Sequence, residues 1–354
     1  MPDDRFSRQT RFAPFGARGQ ENAGRATVAV VGLGGLGSWI AEHLARAGVG
    51  TLRLIDRDVV EESNLPRQGL YVDEDARRAR PKAEAAAERL AAIGGPTRLE
   101  PLVRELTRRS ADALLGPADL VVDGLDAFAP RFLLNDWCRS KRKPWVYGGA
   151  LAGTGSVLLI SDGGPCLRCL FPGADGLLGG ETCETAGVFS PLTAVIGALE
   201  AGEALRWLAG DRRPARLLQV EPWDGRLVAL DPGGPSPDCP VCAGRSYPAL
   251  ERDDDAATTK LCGRDTVQVA PESGGRALDL DLLVKRWEGL GTVERTRFLA
   301  RLHLGKGGGE SGGASGGESE GGLIVTVFDD GRALVRGTTS VERARATYAR
   351  YVGH

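Results

Sequence analysis

Six residues, Gly32-Leu33-Gly34-Gly35-Leu36-Gly37, restrict what this chain can fold into more than any other stretch. They follow a short apolar run, Val28 to Val31, and precede an amphipathic segment that ends near Gly48. A second apolar run, Thr51 to Ile55, stops at Asp56. The order is strand, glycine turn, helix, strand, which opens a mostly parallel α/β sheet. Glycines at such a turn let backbone amides approach a phosphate at the helix N-terminus, where the dipole favours negative charge. Asp56, at the tip of the next strand, is placed to accept hydrogen bonds from ribose hydroxyls. Gly32, Gly34, Gly35, Gly37 and Asp56 are therefore the first candidate nucleotide-binding residues. NAD, FAD and ATP sites share this pattern, so the glycines alone do not choose among them.

The residues after Asp56 narrow the choice. They read Asp58-Val59-Val60-Glu61-Glu62-Ser63-Asn64-Leu65-Pro66-Arg67-Gln68. Asn64, Arg67 and Gln68 are polar groups in a loop at the carboxyl edge of the sheet, which suits a triphosphate better than a nicotinamide. Lys82 starts the helical stretch KAEAAAERLAAI and is the only lysine before Lys141. Alone it reads equally well as a solvated first-turn lysine; beside the other groups its point charge suits a phosphate.

GLGGLGS, the DxDxVExSNLxRQ run and Lys82 together resemble the ThiF/MoeB family of ubiquitin-activating-enzyme-like adenylyltransferases, over about Arg5 to Gly244. The resemblance implies a Rossmann-like, ATP-binding fold that adenylates the C-terminal Gly-Gly carboxylate of a ThiS- or MoaD-type sulfur carrier and releases pyrophosphate. It assigns Asn64, Gln68, Arg67 and Lys82 to the ATP pocket. Arg8, within Arg5-Phe6-Ser7-Arg8-Gln9-Thr10, matches the arginine of the family's RYxRQ opening, which reaches the ATP of the partner subunit. A homodimer is the corollary; without the family, this segment reads as a solvated basic arm. Asp126 matches the magnesium-binding aspartate of a DxxDN motif, although the usual asparagine is Ala127 here; Arg131 keeps its family position. Carboxylates at the end of a parallel strand do lie at the ligand edge of such sheets, and Asp126 also suits an N-cap for the helix RFLLNDWCRSK. Adenylation needs no side-chain nucleophile, so positioning and charge neutralisation carry it.

Seven cysteines, four of them in C-x-x-C pairs, fit a reducing cytoplasm and a metal better than disulfides. Cys166 and Cys169, answered by Cys239 and Cys242, resemble a closed zinc site, and the family uses them so. A redox pair is the alternative; against it, neither pair is expected to open a helix after a strand. Between the pairs, Gly173 to Cys183 is glycine-crowded and predicts a mobile loop. Cys183 there matches a cysteine that, in some family members, bonds to the carrier's activated C-terminus. Cys138 and Cys262 read as core filler.

The 354 residues suit two domains: residues 1–246 for the nucleotide-binding part, 247–260 as linker, and 261–354 as a small α+β domain. Residues 305–322 are almost all Gly, Ser and Glu and read as a flexible insertion in a hairpin. A net charge of −2 argues against nucleic acid as partner, no apolar run is long enough for a membrane span, and the N-terminus lacks a signal peptide's apolar core. With three histidines (His43, His303, His354), imidazole acid–base chemistry is poorly supplied. Two rivals stay open: a NAD-dependent oxidoreductase, which leaves SNLPRQ, Lys82 and Asp126 unexplained, and a non-catalytic scaffold for a ubiquitin-like protein, which rests on Ala127. The residues do not select one carrier.

Overall fold

The computed structural model describes residues 4–173, 186–251, 258–260, 265–269, 278–304 and 322–353; Cys183, Cys262 and the glycine-rich 305–321 lie outside them. The chain forms two compact units that divide between Asp253 and Asp254.

The first unit is built on β1 (Thr27–Val31), β2 (Thr51–Ile55), β3 (Arg98–Leu102), β4 (Leu120–Asp123), β5 (Trp145–Leu151), β6 (Thr154–Ile160), β7 (Leu217–Glu221) and β8 (Arg226–Leu230). They lie in the order β3-β2-β1-β4-β5-β6-β7-β8, with the first five parallel and the last three added antiparallel. Val28, Ala29, Val30 and Val31 are all buried, because β1 is central and helices cover both of its faces. Helices Gly37–Arg46, Lys82–Ile93 and Ser190–Leu208 form one layer, Ser190–Leu208 packing on β5, β6 and helix Gly37–Arg46. The other face carries helices Ala111–Leu115 and Phe128–Ser140, whose Leu115, Phe132, Leu134 and Trp137 join Val31, Val121 and Trp145 in one core.

Chain direction reverses its side-to-side progress at β1. The connection to β2 goes one way and β4 lies on the other side, so a crevice opens at the carboxyl ends of β1 and β4.

The second unit holds β9 (Thr258–Lys260), β10 (Thr266–Val269), β11 (Gly291–Arg295), β12 (Leu299–Leu304), β13 (Ile324–Phe328) and β14 (Ala333–Arg336), in the order β11-β12-β13-β14-β10-β9 and antiparallel throughout. Helices Leu280–Arg286 and Val341–Tyr351 cover one face, with Leu283, Trp287 and Tyr351 over Ala300, Leu302, Val325 and Val327. Both helices begin with a side-chain cap, Asp279 to the amides of Asp281 and Leu282, and Ser340 to that of Arg343.

Some elements differ from the sequence reading. The stretch expected as linker holds helix Pro248–Glu251 and strand β9. The N-terminal segment is not a free arm: it forms helices Ser7–Arg11 and Gly16–Arg25. Asp126 does not cap the following helix, which starts at Phe128 with Ala127 in the cap position and no side-chain bond.

Candidate functional site

The glycine turn and the end of β4 meet backbone to backbone. Gly32 has φ +84°, and a Cβ on it would lie 2.6 Å from the Gly124 carbonyl oxygen. A Cβ on Gly37 would lie 1.8 Å from the Gly32 oxygen, and one on Gly124 would lie 2.2 Å from that same atom. Three glycines thus hold one contact, and any side chain there separates β1 from β4 at the ligand edge.

Leu33 is gripped by both of its backbone groups. Its amide donates to Asp56 Oδ2 at 2.7 Å, and its carbonyl accepts from Tyr71 Oη at 2.8 Å. Asp56 Oδ1 accepts from the Asp58 amide at 2.7 Å, so each oxygen of the expected ribose ligand already holds the turn in shape. Burial raises the Asp56 carboxyl above its ordinary value, Lys82 opposes the shift, and Asp58 adds to it. Tyr71 is a site residue that the sequence reading missed; nothing in its local pattern marks it.

Arg67 and Gln68 face the turn. A Cβ on Gly34 would lie 3.7 Å from Gln68 Nε2, and one on Gly35 would lie 3.9 Å from Arg67 Cδ. Gln68 is buried, and its Oε1 has no hydrogen-bond partner among the described residues. Arg67 is more exposed and donates from Nη1 to the Ser63 carbonyl at 2.7 Å. Asn64 plays a supporting part: its Oδ1 accepts from the Glu61 amide at 3.1 Å and folds the loop. Lys82 is only 5 % exposed, with Nζ 3.8 Å from Asp58 Oδ2 and its amide on the Asp58 carbonyl. A lysine this buried at the sheet edge is not the solvated first-turn residue its sequence context allows.

At the end of β4, Asp123 is fully buried. Its Oδ2 accepts from Arg131 Nε at 2.9 Å and its Oδ1 from the Leu125 amide at 2.9 Å. Arg131 also donates to the carbonyls of Leu125 and Gly148, so it ties the Gly124–Asp126 turn to β5. Burial disfavours the Arg131 charge, but Asp123, followed by Tyr147, holds its pKa above the ordinary range. Burial pushes Asp123 up to about 6 against the pull of Arg131. Glu200, under Gly148, is fully buried, and neither carboxyl oxygen has a hydrogen-bond partner among the described residues. Burial, followed by Asp123, pushes Glu200 well above 4.5, with Arg131 opposing. Asp126 is exposed beside this network. That suits a magnesium ion held by one carboxylate plus substrate phosphates.

Arg8 is not brought to this pocket. Gln9 and Gln20 both donate to the Ala47 carbonyl, at 3.1 and 3.0 Å, Arg5 donates to the Gly94 carbonyl at 2.7 Å, and the Phe6 ring lies against Gly48. Those anchors sit at the C-terminal ends of helices Gly37–Arg46 and Lys82–Ile93, whereas the glycine turn and Lys82 sit at the N-terminal ends. Ten to twelve residues of helix, about 15–18 Å, lie between.

Cys166, Cys169, Cys239 and Cys242 do converge, with all sulfurs within 4.8 Å of one another. The closest pairs are 3.5 Å (Cys169–Cys242), 3.6 Å (Cys166–Cys239) and 3.9 Å (Cys166–Cys169). A tetrahedron of thiolates around zinc, with bonds of about 2.3 Å, has edges of about 3.8 Å. The amides of Ser236 and Cys242 and the Arg139 guanidinium donate to three of these sulfurs, those of Cys169, Cys239 and Cys242. The cluster can hold a metal ion. One expectation fails: Cys166 does open a helix, the short Leu167–Leu170 that follows β6. The knuckle is anchored to helix Phe128–Ser140, where Asn135 caps the Leu167 amide and buried Asp136 takes a bidentate bond from Arg168. The convergence of four sulfurs, not the absence of a helix, is what sets this site apart from a redox pair.

Residues 6–241 match the model of the ThiF family, and the chain belongs to that family. The sulfur carrier protein ThiS adenylyltransferase of Bacillus subtilis is 33% identical over 353 residues, 99% of each chain. The molybdopterin-synthase adenylyltransferase of Escherichia coli is 41% identical over 232 residues, 64% of this chain and 87% of that one. Among solved structures, the fold resembles that of E. coli MccB, with a TM-score of 0.60 at 22% identity over 68% of this chain and 73% of that one. Among the described residues, no helix is long and apolar enough to cross a membrane.

Proposed function

We infer that this chain is an ATP-dependent adenylyltransferase acting on the C-terminal glycine carboxylate of a small ubiquitin-like sulfur carrier. The observation that carries this reading is the crevice at β1 and β4, where the glycine turn faces Arg67 and Gln68 and the Tyr71 hydroxyl lies between the carbonyls of Leu33 and the buried Lys82. A phosphate chain seated there meets amides at the start of helix Gly37–Arg46 and two cationic side chains. The unpartnered Gln68 Oε1 suits a donor on the nucleotide. The carrier carboxylate attacks the α-phosphate, the bond to the β-phosphate breaks, and pyrophosphate leaves. Arg67 and Lys82 neutralise the charge that develops, and Asp126 is the group that would hold magnesium, whose charge offsets that of the phosphates. Asp56 and Tyr71 keep the turn in one shape before ATP arrives.

Arg8 is assigned to the pocket of a second copy, because its own helix is anchored at the wrong end of the layer; the active unit is then a homodimer. The four cysteines would hold zinc as a structural tie. A ThiS-type carrier is favoured over a MoaD-type one, since the match to a ThiS adenylyltransferase runs the full length of the chain, second unit included. Cytoplasmic location goes with this reading.

The test is exchange of labelled pyrophosphate into ATP, with magnesium and a ThiS-type carrier ending in Gly-Gly. Exchange should need both magnesium and the carrier, and should vanish in Asp126→Ala while the melting temperature is kept. Carrier-independent exchange, or wild-type exchange in Asp126→Ala, refutes the corresponding part.

A further inference from the structure

The backbone at Arg67 is held by groups from outside its own loop. Its carbonyl oxygen accepts from Trp39 Nε1 at 3.3 Å and from Thr193 Oγ1 at 3.1 Å. The Thr193 hydroxyl also faces the Ser190 carbonyl at 2.8 Å, so its one proton is shared between two acceptors. The preceding carbonyl, of Pro66, accepts from Ser190 Oγ. These donors come from the first turns of two different helices, Gly37–Arg46 and Ser190–Leu208.

The same two side chains also touch the glycines around the pocket. Thr193 Cγ2 would lie 3.3 Å from a Cβ on Gly35, in the phosphate turn itself. The Trp39 ring fills the place where Gly69 would carry a side chain, 2.5 Å from that Cβ position. Gly197 leaves equivalent room on the other side, 2.8 Å from Trp39 Cβ. Thr193 is buried, and Trp39 is half-buried.

We propose that Trp39 and Thr193 are positioning residues for Arg67, together setting the register of the Pro66–Arg67 backbone against the glycine turn. The proposal rests on reading Arg67 as a phosphate ligand. A long guanidinium side chain magnifies any rotation at its Cα, and a displacement of about 1 Å at a reacting group can cost on the order of 100-fold. Two donors on one carbonyl, from two helices, remove the freedom of that peptide to turn.

The experiment is a double-mutant cycle on the full-length chain, with the dissociation constant for Mg-ATP measured by calorimetry. Thr193→Val keeps the methyl group against Gly35 and removes the hydroxyl; Trp39→Phe keeps the ring and removes the N–H. Each should weaken Mg-ATP several-fold, and the pair about tenfold or more, with thermal midpoints within a few degrees of wild type. Thr193→Ser, which keeps the hydroxyl, should bind closer to wild type than Thr193→Val. In an Arg67→Ala background these losses should disappear, because the residues act through Arg67. Losses that persist there show a general structural role and overturn the proposal. So does wild-type affinity in Trp39→Phe/Thr193→Val when Arg67→Ala alone is weakened. Wild-type affinity in Arg67→Ala fails a different premise, the phosphate role of Arg67, and the proposal falls with it.

Discussion

The glycine-turn edge and the four-cysteine corner belong to the same unit yet reach their geometry by opposite means. At the first, order comes from what is missing: no Cβ at Gly32, Gly37 or Gly124, so three backbones close directly on one another. At the second, order comes from side chains, four sulfurs that converge within 4.8 Å of one another. Cys166 has its thiol raised well above the ordinary value, by a hydrogen bond with Cys242 and then by burial. The first site is preformed by packing, and the second offers four ligand atoms to a metal ion. The two should therefore fail differently.

Gly37→Ala should have the largest effect. The new methyl would lie 1.8 Å from the Gly32 oxygen, so either β1 or the helix must move. Pyrophosphate exchange should fall by at least about 100-fold, and the thermal shift given by Mg-ATP should be lost. Gly202→Ala, on helix Ser190–Leu208 with open space around the new carbon, should instead leave exchange unchanged.

Cys239→Ser should do the reverse. Closed metal sites contribute folding free energy, so a loss of several kcal/mol is expected, with metal content falling from one ion per chain. At temperatures where the variant stays folded, it should still bind Mg-ATP. Equal damage to both sites from either substitution would show that the contrast is false.

The proposed dimer gives the next effect in order of size. Arg8→Ala and Asp126→Ala should each be inactive alone. Mixed and re-equilibrated, they should recover about a quarter of wild-type exchange, since half the dimers are mixed and each has one intact site. No recovery, with mixed dimers confirmed by native mass spectrometry, would remove Arg8 from the partner's pocket.

The smallest effect concerns Glu200. Its folded pKa lies well above 4.5, so the folded state keeps a proton that the unfolded chain releases. Stability from this group is full below about pH 4.5, falls as pH rises toward the folded pKa, and is flat above it. Asp123, raised to about 6, acts in the same direction over a lower window. Glu200→Gln should melt a few degrees higher than wild type at pH 8, and the gain should shrink toward pH 5. A gain that is the same at both would show that the proton held by Glu200 in the folded state is not its source.

The turn, its helix and Asp56 were legible because glycine spacing and strand ends are local signals. The cysteines were legible by type, and their convergence across 73 residues required the fold. Tyr71 was not, since its partners at Leu33 and Lys82 come from elsewhere in the chain. Glu200 left a trace: it stands at helical spacing from Ile196, Gly197 and Ala204, all buried, and an acid on that face is out of place. The helix Ser7–Arg11 is too short and polar to show a period, and its anchors are long-range carbonyls.

The cysteine corner has one more consequence, in mechanical terms. A metal bridging Cys166 and Cys239 closes a loop of 73 residues that takes in helix Ser190–Leu208 and strands β7 and β8. Stretched between its ends, the metal-bound chain would withhold about 250 Å of contour length, at roughly 3.4 Å per residue. With an ion bound there, a chelator added under load would release that length in one step.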